Sequence, residues 1–426
     1  INFTASVNNT GKIINSGTGS GGITFNSLGT IGTNVTEINQ NSTTSLLNVP
    51  AVTVGATGKI FRNTAGTKTL TIRGGVTGTG NITIANDSNL AAGVTLSTAA
   101  LNNIGTVTNS GTGSGTATIS FAIGSNVTNL IQNSTTSALN LSTVNTNQQL
   151  TIYAGAVNCT TTASCVGSGN ITLGNTTGTD SASLLVGTTG LTIARPIVLA
   201  TNATAGTLSI GTTTAIAAVT FSGGVTGTNN LTINNGSSTG TVTLSTATIN
   251  NVGTITNTGA SSGTTTISST IGTNVTALIE NSTTSAFTVS GAETVGATGK
   301  IFRNSSGTKI LTISGGVTGT GDVILDNDST LADGVTVSTA AFNNIGTVTN
   351  SGSGTGTGTI SFAIGSNVTN VIQNSTTSAL NLSTANSNQQ LAIKAGTVNV
   401  SGNAGAVGAG NITLGDTTGS NAASLL

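Results

Sequence analysis

The chain has no histidine, methionine or tryptophan, a single tyrosine and only 5% charged residues. Without histidine, nucleophilic and general-base chemistry has few candidate groups, and most acidic residues stand alone along the sequence. Ten basic and ten acidic residues give a net charge of zero, which argues against a nucleic-acid partner because phosphate binding needs clustered Lys and Arg. We therefore expect a protein that is not an enzyme, with no catalytic residues, no cofactor and no bound nucleic acid.

Long apolar runs are also missing. The richest stretch, residues 184–199, is interrupted by Gly, Arg195 and Pro196, and it falls short of the roughly 18–20 apolar residues of a membrane helix. We therefore expect no membrane span. Good helix formers such as Glu, Lys, Arg and Gln are scarce, and the abundance of β-branched residues with little charge is the opposite of a disordered composition.

What the chain has in abundance is repetition. Residues 1–185 reappear with few changes as residues 242–426, and the tag Asn-Ser-Thr-Thr-Ser begins at Asn41, Asn133, Asn281 and Asn374. Repetition of this kind predicts one small unit stacked many times. We expect a repeat block at 1–185, spacer coils at 186–241 that continue the array, and a second block at 242–426. No capping unit is evident, so we expect a longer parent chain or end-to-end stacking of subunits.

The local pattern is strand, turn, strand. Apolar and polar residues alternate in 68–73, 93–97, 116–121 and 241–245, which is typical of half-buried strands with Val, Ile and Leu inside and Thr, Ser and Asn outside. A chain of β-sandwich modules of about 93 residues is one architecture that fits. Aromatics are only 2%, however, and a narrow solenoid interior suits stacked aliphatic side chains better. We predict an all-β, elongated, parallel β-solenoid or β-helix of about 19 coils.

Two segments carry a resemblance to known proteins. Residues 74–84, Gly-Gly-Val-Thr-Gly-Thr-Gly-Asn-Ile-Thr-Ile, and residues 102–111, Asn-Asn-Ile-Gly-Thr-Val-Thr-Asn-Ser-Gly, together with similar lines elsewhere, resemble the passenger repeats of bacterial autotransporters and filamentous-haemagglutinin-type adhesins. The resemblance covers most of the chain and is compositional. It implies a right-handed parallel β-helix at the bacterial cell surface. The membrane barrel or secretion domain of those families has no counterpart here, so the export route stays open.

Few residues stand out as candidate sites. Cys159 and Cys165 are six residues apart around a loop, and they could form a local disulfide, although the second block carries Val400 and Ala406 there. The alternative is two small residues that happen to be Cys. One acidic cluster could hold Ca²⁺ through carboxylate oxygens, against the alternative of solvated turn and strand residues. It consists of Asp322, Asp326, Asp328 and Asp333.

The densest basic group recurs in both blocks around a phenylalanine and is a candidate contact patch for a glycan, an anionic surface or a neighbouring subunit. It consists of Lys59, Phe61, Arg62 and Lys68, and of Lys300, Phe302, Arg303 and Lys309. The alternative is a solvated charged face. Outward Thr-x-Thr and Thr-x-Ser runs could form flat hydroxyl arrays similar to ice-binding surfaces, although Thr suits any exposed strand face.

These observations lead to one expectation and two alternatives. We expect a non-enzymatic, extracellular structural or adhesive fibre protein of a bacterial surface, whose partner is itself or a longer parent chain. The first alternative is an adhesin passenger domain that binds glycans or a host surface. The second is an ice-binding β-solenoid.

Overall fold

The computed structural model describes residues 1–25, 29–64, 66–204, 206–213, 218–236, 239–305 and 307–426. It shows an all-β protein of stacked parallel coils, a β-solenoid of about 18 turns. The contacts divide it into two compact units, residues 1–213 and 214–426. The boundary between them falls inside the predicted spacer 186–241. Spacer strands pair with block strands in each unit, for example Ala182–Val186 with Leu208–Thr212 and Ala218–Phe221 with Thr241–Leu244.

Each coil of unit 1 contributes to three parallel sheets, which we call faces A, B and C in chain order. Face A consists of Gly11–Asn15, Val35–Gln40, Lys59–Asn63, Ile82–Asn86, Gly105–Asn109, Val127–Asn133, the first half of Leu150–Cys159, Ile171–Leu173 and Ile197–Leu199. Face B consists of Asn2–Phe3, Ile23–Phe25, Leu47–Val49, Leu70–Ile72, Val94–Leu96, Ala117–Ile119, Leu139–Leu141, the second half of Leu150–Cys159, Ala182–Val186 and Leu208–Thr212.

Face C of unit 1 is narrower. It consists of Thr30–Ile31, Ala51–Val54 and Val76–Gly78, extended by single bridges at Val7, Leu101 and Ile123. A further strand is Leu191–Ile193, and a 3₁₀ helix spans Ala163–Val166.

Unit 2 has the same three faces. Face A consists of Leu231–Asn234, Gly253–Asn257, Val275–Glu280, Lys300–Asn304, Val323–Asn327, Gly346–Asn350, Val368–Asn374, the first half of Gln390–Val400 and Asn411–Leu414. Face B consists of Ala218–Phe221, Thr241–Leu244, Thr265–Ile267, Phe287–Val289, Leu311–Ile313, Val335–Val337, Gly358–Ile360, Leu380–Leu382, the second half of Gln390–Val400 and Ala423–Leu425.

Face C of unit 2 consists of Val225–Gly227, Glu293–Val295 and Val317–Gly319, with bridges at Ile249, Ile271, Phe342 and Ile364. A 3₁₀ helix spans Ala404–Val407. In both units the core is a stack of aliphatic side chains that point inward from successive coils, as Leu70, Val94 and Ala117 do in neighbouring strands. Parallel pairing of this kind confirms the predicted solenoid and excludes the sandwich modules, whose sheets are antiparallel.

Candidate functional site

A ladder of buried polar side chains, all amides except for the carboxyl of Glu280, lies near the C-terminal ends of the face A strands. Each of its side chains is at most 1% exposed. The members in unit 1 are Asn15, Gln40, Asn63, Asn86, Asn109 and Gln132, and those in unit 2 are Asn257, Glu280, Asn304, Asn327, Asn350 and Gln373. An amide buried in an apolar interior is costly unless it is hydrogen-bonded, so this ladder fixes the register of the coils.

The repeated tag Asn-Ser-Thr-Thr-Ser forms a loop whose backbone carbonyls are hydrogen-bonded to this ladder. Gln132 precedes the tag at Asn133, and its Nε2 donates to the carbonyls of Ser134 and Ser137 at 2.8 and 2.9 Å. Its Oε1 accepts from Asn109 Nδ2 at 2.7 Å. Gln373 makes the same contacts in unit 2, with Ser375, Ser378 and Asn350. The tag is therefore a structural loop held by one glutamine of the ladder.

Glu280 stands where the other three copies of the tag are preceded by glutamine. Its Oε2 accepts from Asn257 Nδ2 at 2.9 Å, and its Oε1 accepts from the backbone N–H of Ser282 at 2.5 Å. Burial raises the pKa of Glu280 to about 8, against the opposing effect of these two hydrogen bonds. A carboxyl group that replaces an amide in this ladder is thus held largely protonated at neutral pH.

A buried lysine begins one face A strand in each unit. Lys59 of unit 1 is 2% exposed, and its Nζ donates to the carbonyls of Gly32, at 3.0 Å, and Val35. Burial lowers the pKa of Lys59 to about 8. In unit 2, Lys300 Nζ lies 2.7 Å from Glu293 Oε2, and both side chains are fully buried. Glu293 occupies the position of Val52 in unit 1, so only the second lysine has a carboxylate partner.

These placements correct the predicted contact patch. Lys59, Phe61, Lys300 and Phe302 are buried, at 2% exposure or less, so a contact surface that includes them is wrong. The physical reason is strand alternation: Lys59 and Phe61 share one side of the strand Lys59–Asn63, and that side faces the core.

The other members of that group lie nearer the surface. Lys68 and Lys309 are exposed, whereas Arg62 and Arg303 are half-buried in ion pairs. Arg62 joins Glu37, at 3.3 Å, to Asp87 in the next coil, and Glu37 also pairs with Lys12 at 2.7 Å. The two arginines therefore link neighbouring coils to each other.

The four aspartates proposed for Ca²⁺ do not share a site. Asp322 accepts from the Thr347 backbone N–H at 2.7 Å, and Asp328 accepts from Ser353 Oγ at 2.6 Å. Asp326 pairs with Arg303, and Asp333 accepts from Thr357 Oγ1 at 3.2 Å. Within the described ranges no group of three or more His, Cys, Asp or Glu side chains could hold a metal ion. Asp326 and Asp328 share Arg303 as their partner, whereas Asp322 and Asp333 are held by hydrogen bonds to other residues, so the four carboxylates do not form one cation site.

The two cysteines are joined. Cys159 and Cys165 form a disulfide, with their Cα atoms 5.8 Å apart. The bond closes a short loop that contains the 3₁₀ helix Ala163–Val166. Both sulfur-bearing residues are fully buried. The sequence left open whether the two cysteines are bonded, and the structure shows that they are.

Face B carries the hydroxyl array. In unit 2 its central outward residue is threonine in seven successive strands paired in register, namely Thr220, Thr243, Thr266, Thr288, Thr312, Thr336 and Thr359. A serine follows two residues after each of them. In unit 1 the same rank is interrupted by Asn48, Asn140 and Asn158. The long regular array is therefore a feature of unit 2.

Comparison with known proteins gives no relative. No family model matches the chain, and neither a curated protein nor a solved structure matches it. Among the helices of the described residues, none has the length and apolar character that crossing a membrane requires.

Proposed function

We propose that this protein is a non-enzymatic structural or adhesive fibre protein that works outside the cell on a bacterial surface. The observation that carries the proposal is the uniform stacking of coils through parallel backbone pairing in each unit. Stability is then spread over many equivalent interfaces between coils, as repeat proteins require. Such a design suits a load-bearing or surface-displaying role.

The disulfide supports a location outside the cytoplasm. The Cys159–Cys165 disulfide fits an oxidising compartment, because cytosolic thiols are kept reduced.

The composition of the chain supports association between copies. Charged residues are only 5% of the chain. Zero net charge removes the self-repulsion that keeps proteins apart, which favours association of one copy with another.

The filament proposal places the contact between copies at the strand Asn411–Leu414 of unit 2. Ile412 and Leu414 pair with the buried residues Leu391 and Ile393, yet they are 41% and 59% exposed. Their counterparts in unit 1, Ile171 and Leu173, are fully buried beneath the next coil. In a filament, a coil of another copy would cover these two side chains.

Sedimentation and electron microscopy of designed variants test the fibre. We expect the purified chain to form filaments, and we expect the double substitution Ile412→Asp with Leu414→Asp to abolish them because it places charges on the edge that stacks. Thr413→Asp is the matched control, since Thr413 lies on the same strand and points to the other side. Filaments that form equally well in the double variant would overturn stacking at this edge.

Ice binding is a second candidate, and the threonine rank of unit 2 favours it. Within the described residues, the hydroxyls of Thr220, Thr243, Thr266, Thr288 and Thr312 make no hydrogen bond to the protein, so a regular row of five free hydroxyls faces solvent. Thermal hysteresis of the wild type, lost in Thr266→Lys, would support ice binding. A freezing behaviour identical to that of an unrelated protein at equal concentration would exclude it.

A further inference from the structure

A recess on face B of unit 1 has the composition of a ligand site. Its volume is about 570 Å³, and its lining includes Thr24, Phe25, Asn48, Val49, Pro50 and Arg73. These residues come from successive coils, whose strands Ile23–Phe25, Leu47–Val49 and Leu70–Ile72 are paired side by side. A volume of this size falls in the range of pockets that hold small ligands.

A local change in the repeat coincides with the recess. In unit 1 the strand Leu47–Val49 is joined to face C by Pro50 alone, whereas in unit 2 Ser290 and Gly291 join Phe287–Val289 to the residues of face C. The corner is one residue shorter in unit 1, and Pro50 stands where unit 2 has Ser290. The second block therefore has no equivalent corner.

Arg73 supplies the only charge among the described residues that line the recess. Its position in the copy is occupied by Ser314. Arg73 is exposed, and no acidic side chain of the described residues lies within ion-pair distance of it. Arg62 and Arg303, by contrast, are both neutralised by carboxylates of neighbouring coils. An unpaired guanidinium can bind a carboxylate through two parallel hydrogen bonds.

The rest of the lining is suited to a hydroxyl-rich molecule. Asn48 is only 8% exposed and donates a long hydrogen bond, 3.4 Å, to Thr24 Oγ1. Its amide and the Thr24 hydroxyl can therefore both donate and accept towards a ligand. Phe25, Val49 and Pro50 complete the lining as buried residues, so the contacts with a ligand fall to Arg73, Asn48 and Thr24.

We propose that this recess binds an acidic sugar residue, with Arg73 holding its carboxylate and with Asn48 and Thr24 contacting its ring hydroxyls. The proposal deepens the adhesive role put forward above and rests on it for the biological context. The proposed ligand class is the uronic acids of surface polysaccharides, and the proposed site is the single recess in unit 1.

Calorimetric or NMR titration of the intact chain tests this site. The probes are glucuronate and galacturonate, with glucose and galactose as neutral counterparts and inorganic phosphate as an anion without ring hydroxyls. We expect uronate binding with a Kd on the order of millimolar or tighter, and roughly tenfold weaker binding of the neutral sugars and of phosphate. Equal binding of uronate and neutral sugar, equal binding of uronate and phosphate, or no uronate binding at millimolar concentration would overturn the proposal.

The repeat itself supplies matched variants. Arg73→Ser installs the residue that the copy carries at Ser314, so the fold should tolerate it, and we expect at least about tenfold weaker uronate binding. Arg73→Lys should retain part of the affinity. Ser314→Arg adds the same charge to unit 2, where the corner differs, and should create no second site. Unchanged affinity in Arg73→Ser, or a second site in Ser314→Arg, would show that the recess is not the determinant.

Filament formation in the same samples separates this inference from the fibre proposal. Arg73 lies on the side of the coils and not at their stacking edge, so Arg73→Ser should form filaments as the wild type does. Filaments without uronate binding would overturn the acidic-sugar site alone. Uronate binding by a chain that forms no filaments would overturn the fibre and leave the site in place.

Discussion

Asn257 donates a hydrogen bond from Nδ2 to Glu280 Oε2 at 2.9 Å, inside the buried ladder of face A. The same rung in unit 1 is the pair Asn109 and Gln132, at 2.7 Å. A carboxyl group thus takes the place of an amide in an otherwise conserved geometry between the repeats. The pair in unit 2 contains a titratable group and the pair in unit 1 does not. A change in stability with pH at this position can therefore be attributed to Glu280.

We predict that the stability of unit 2 falls as pH rises between about 4.5 and 8. Burial raises the pKa of Glu280 from 4.5 to about 8, so in this window the folded state holds a proton that the unfolded state has lost. The stability due to this group is complete below pH 4.5 and decreases by about 1.4 kcal/mol per pH unit within the window. Urea denaturation across this pH range measures the slope.

Glu280→Gln is the matched variant. Glutamine should donate to the tag loop as Gln132 and Gln373 do, and it cannot titrate. The variant should therefore be more stable than the wild type at pH 9 by several kcal/mol, and the difference should shrink towards pH 4.5. Parallel stability curves for the two proteins would show that Glu280 is not protonated in the fold.

A second prediction concerns the buried pair Glu293 and Lys300. Glu293→Val reproduces unit 1, where Val52 leaves Lys59 without a carboxylate, and it should destabilise unit 2 by about 3–5 kcal/mol at pH 7 because a buried charge loses its partner.

NMR titration of the lysine side chains, together with denaturation, checks this outcome. Val52→Glu is the reverse exchange, and it should raise the pKa of Lys59 by giving it the carboxylate that Lys300 already has. Equal free energies of unfolding for the wild type and Glu293→Val at pH 7 would show that the ion pair contributes little to the stability of this coil.

The sequence predicts the coils well because their pattern is simple. Leu70 and Ile72 alternate with Thr71, and the structure buries the first two and leaves Thr71 partly exposed. Repetition and the scarcity of aromatics then favour a solenoid over a sandwich, and the parallel pairing of neighbouring strands on faces A and B confirms it. Local alternation and long-range repetition agree here, which is the condition under which reasoning from sequence works.

The inward polar residues are where that reasoning is incomplete. The positive charge of Lys59 suggested that its side chain lies on the surface. However, Lys59 and Phe61 are two residues apart in one strand, so both side chains point to the same side, and this spacing could have predicted that Lys59 is buried. Glu293, which precedes Lys300 by seven residues, is the buried carboxylate partner of Lys300. The Arg73 recess could not be predicted, because it depends on which corner of one coil lies beside which residue of the next.

A third prediction concerns the disulfide. The double variant Cys159→Val with Cys165→Ala carries residues that the second block uses at these positions, Val400 and Ala406, so the coil should keep its fold. Loss of a bridge that closes a short loop should cost about 2 kcal/mol. Denaturation of the variant and of the reduced wild type should agree. Loss of the β-sheet circular dichroism signal in the variant would mean that the bridge is required for folding.

A fourth prediction compares two glycines with positive φ. Gly155 has φ +75°, and a Cβ there would lie 1.9 Å from the carbonyl oxygen of Ser134 in the coil beside it, whereas Gly190, at φ +81°, has open space around it. Gly190→Ala should cost about 1 kcal/mol of backbone strain. Gly155→Ala should cost at least about 2 kcal/mol more, since coils must separate locally. Equal losses in thermal denaturation would contradict the close packing of these coils.

Cryo-electron microscopy of the purified chain, unfixed and at low concentration, shows whether copies stack end to end. We predict filaments with a layer spacing of about 4.8 Å along their axis, continuous across the junction between one copy and the next. Discrete particles that stay separate at every concentration would contradict the stacked fibre.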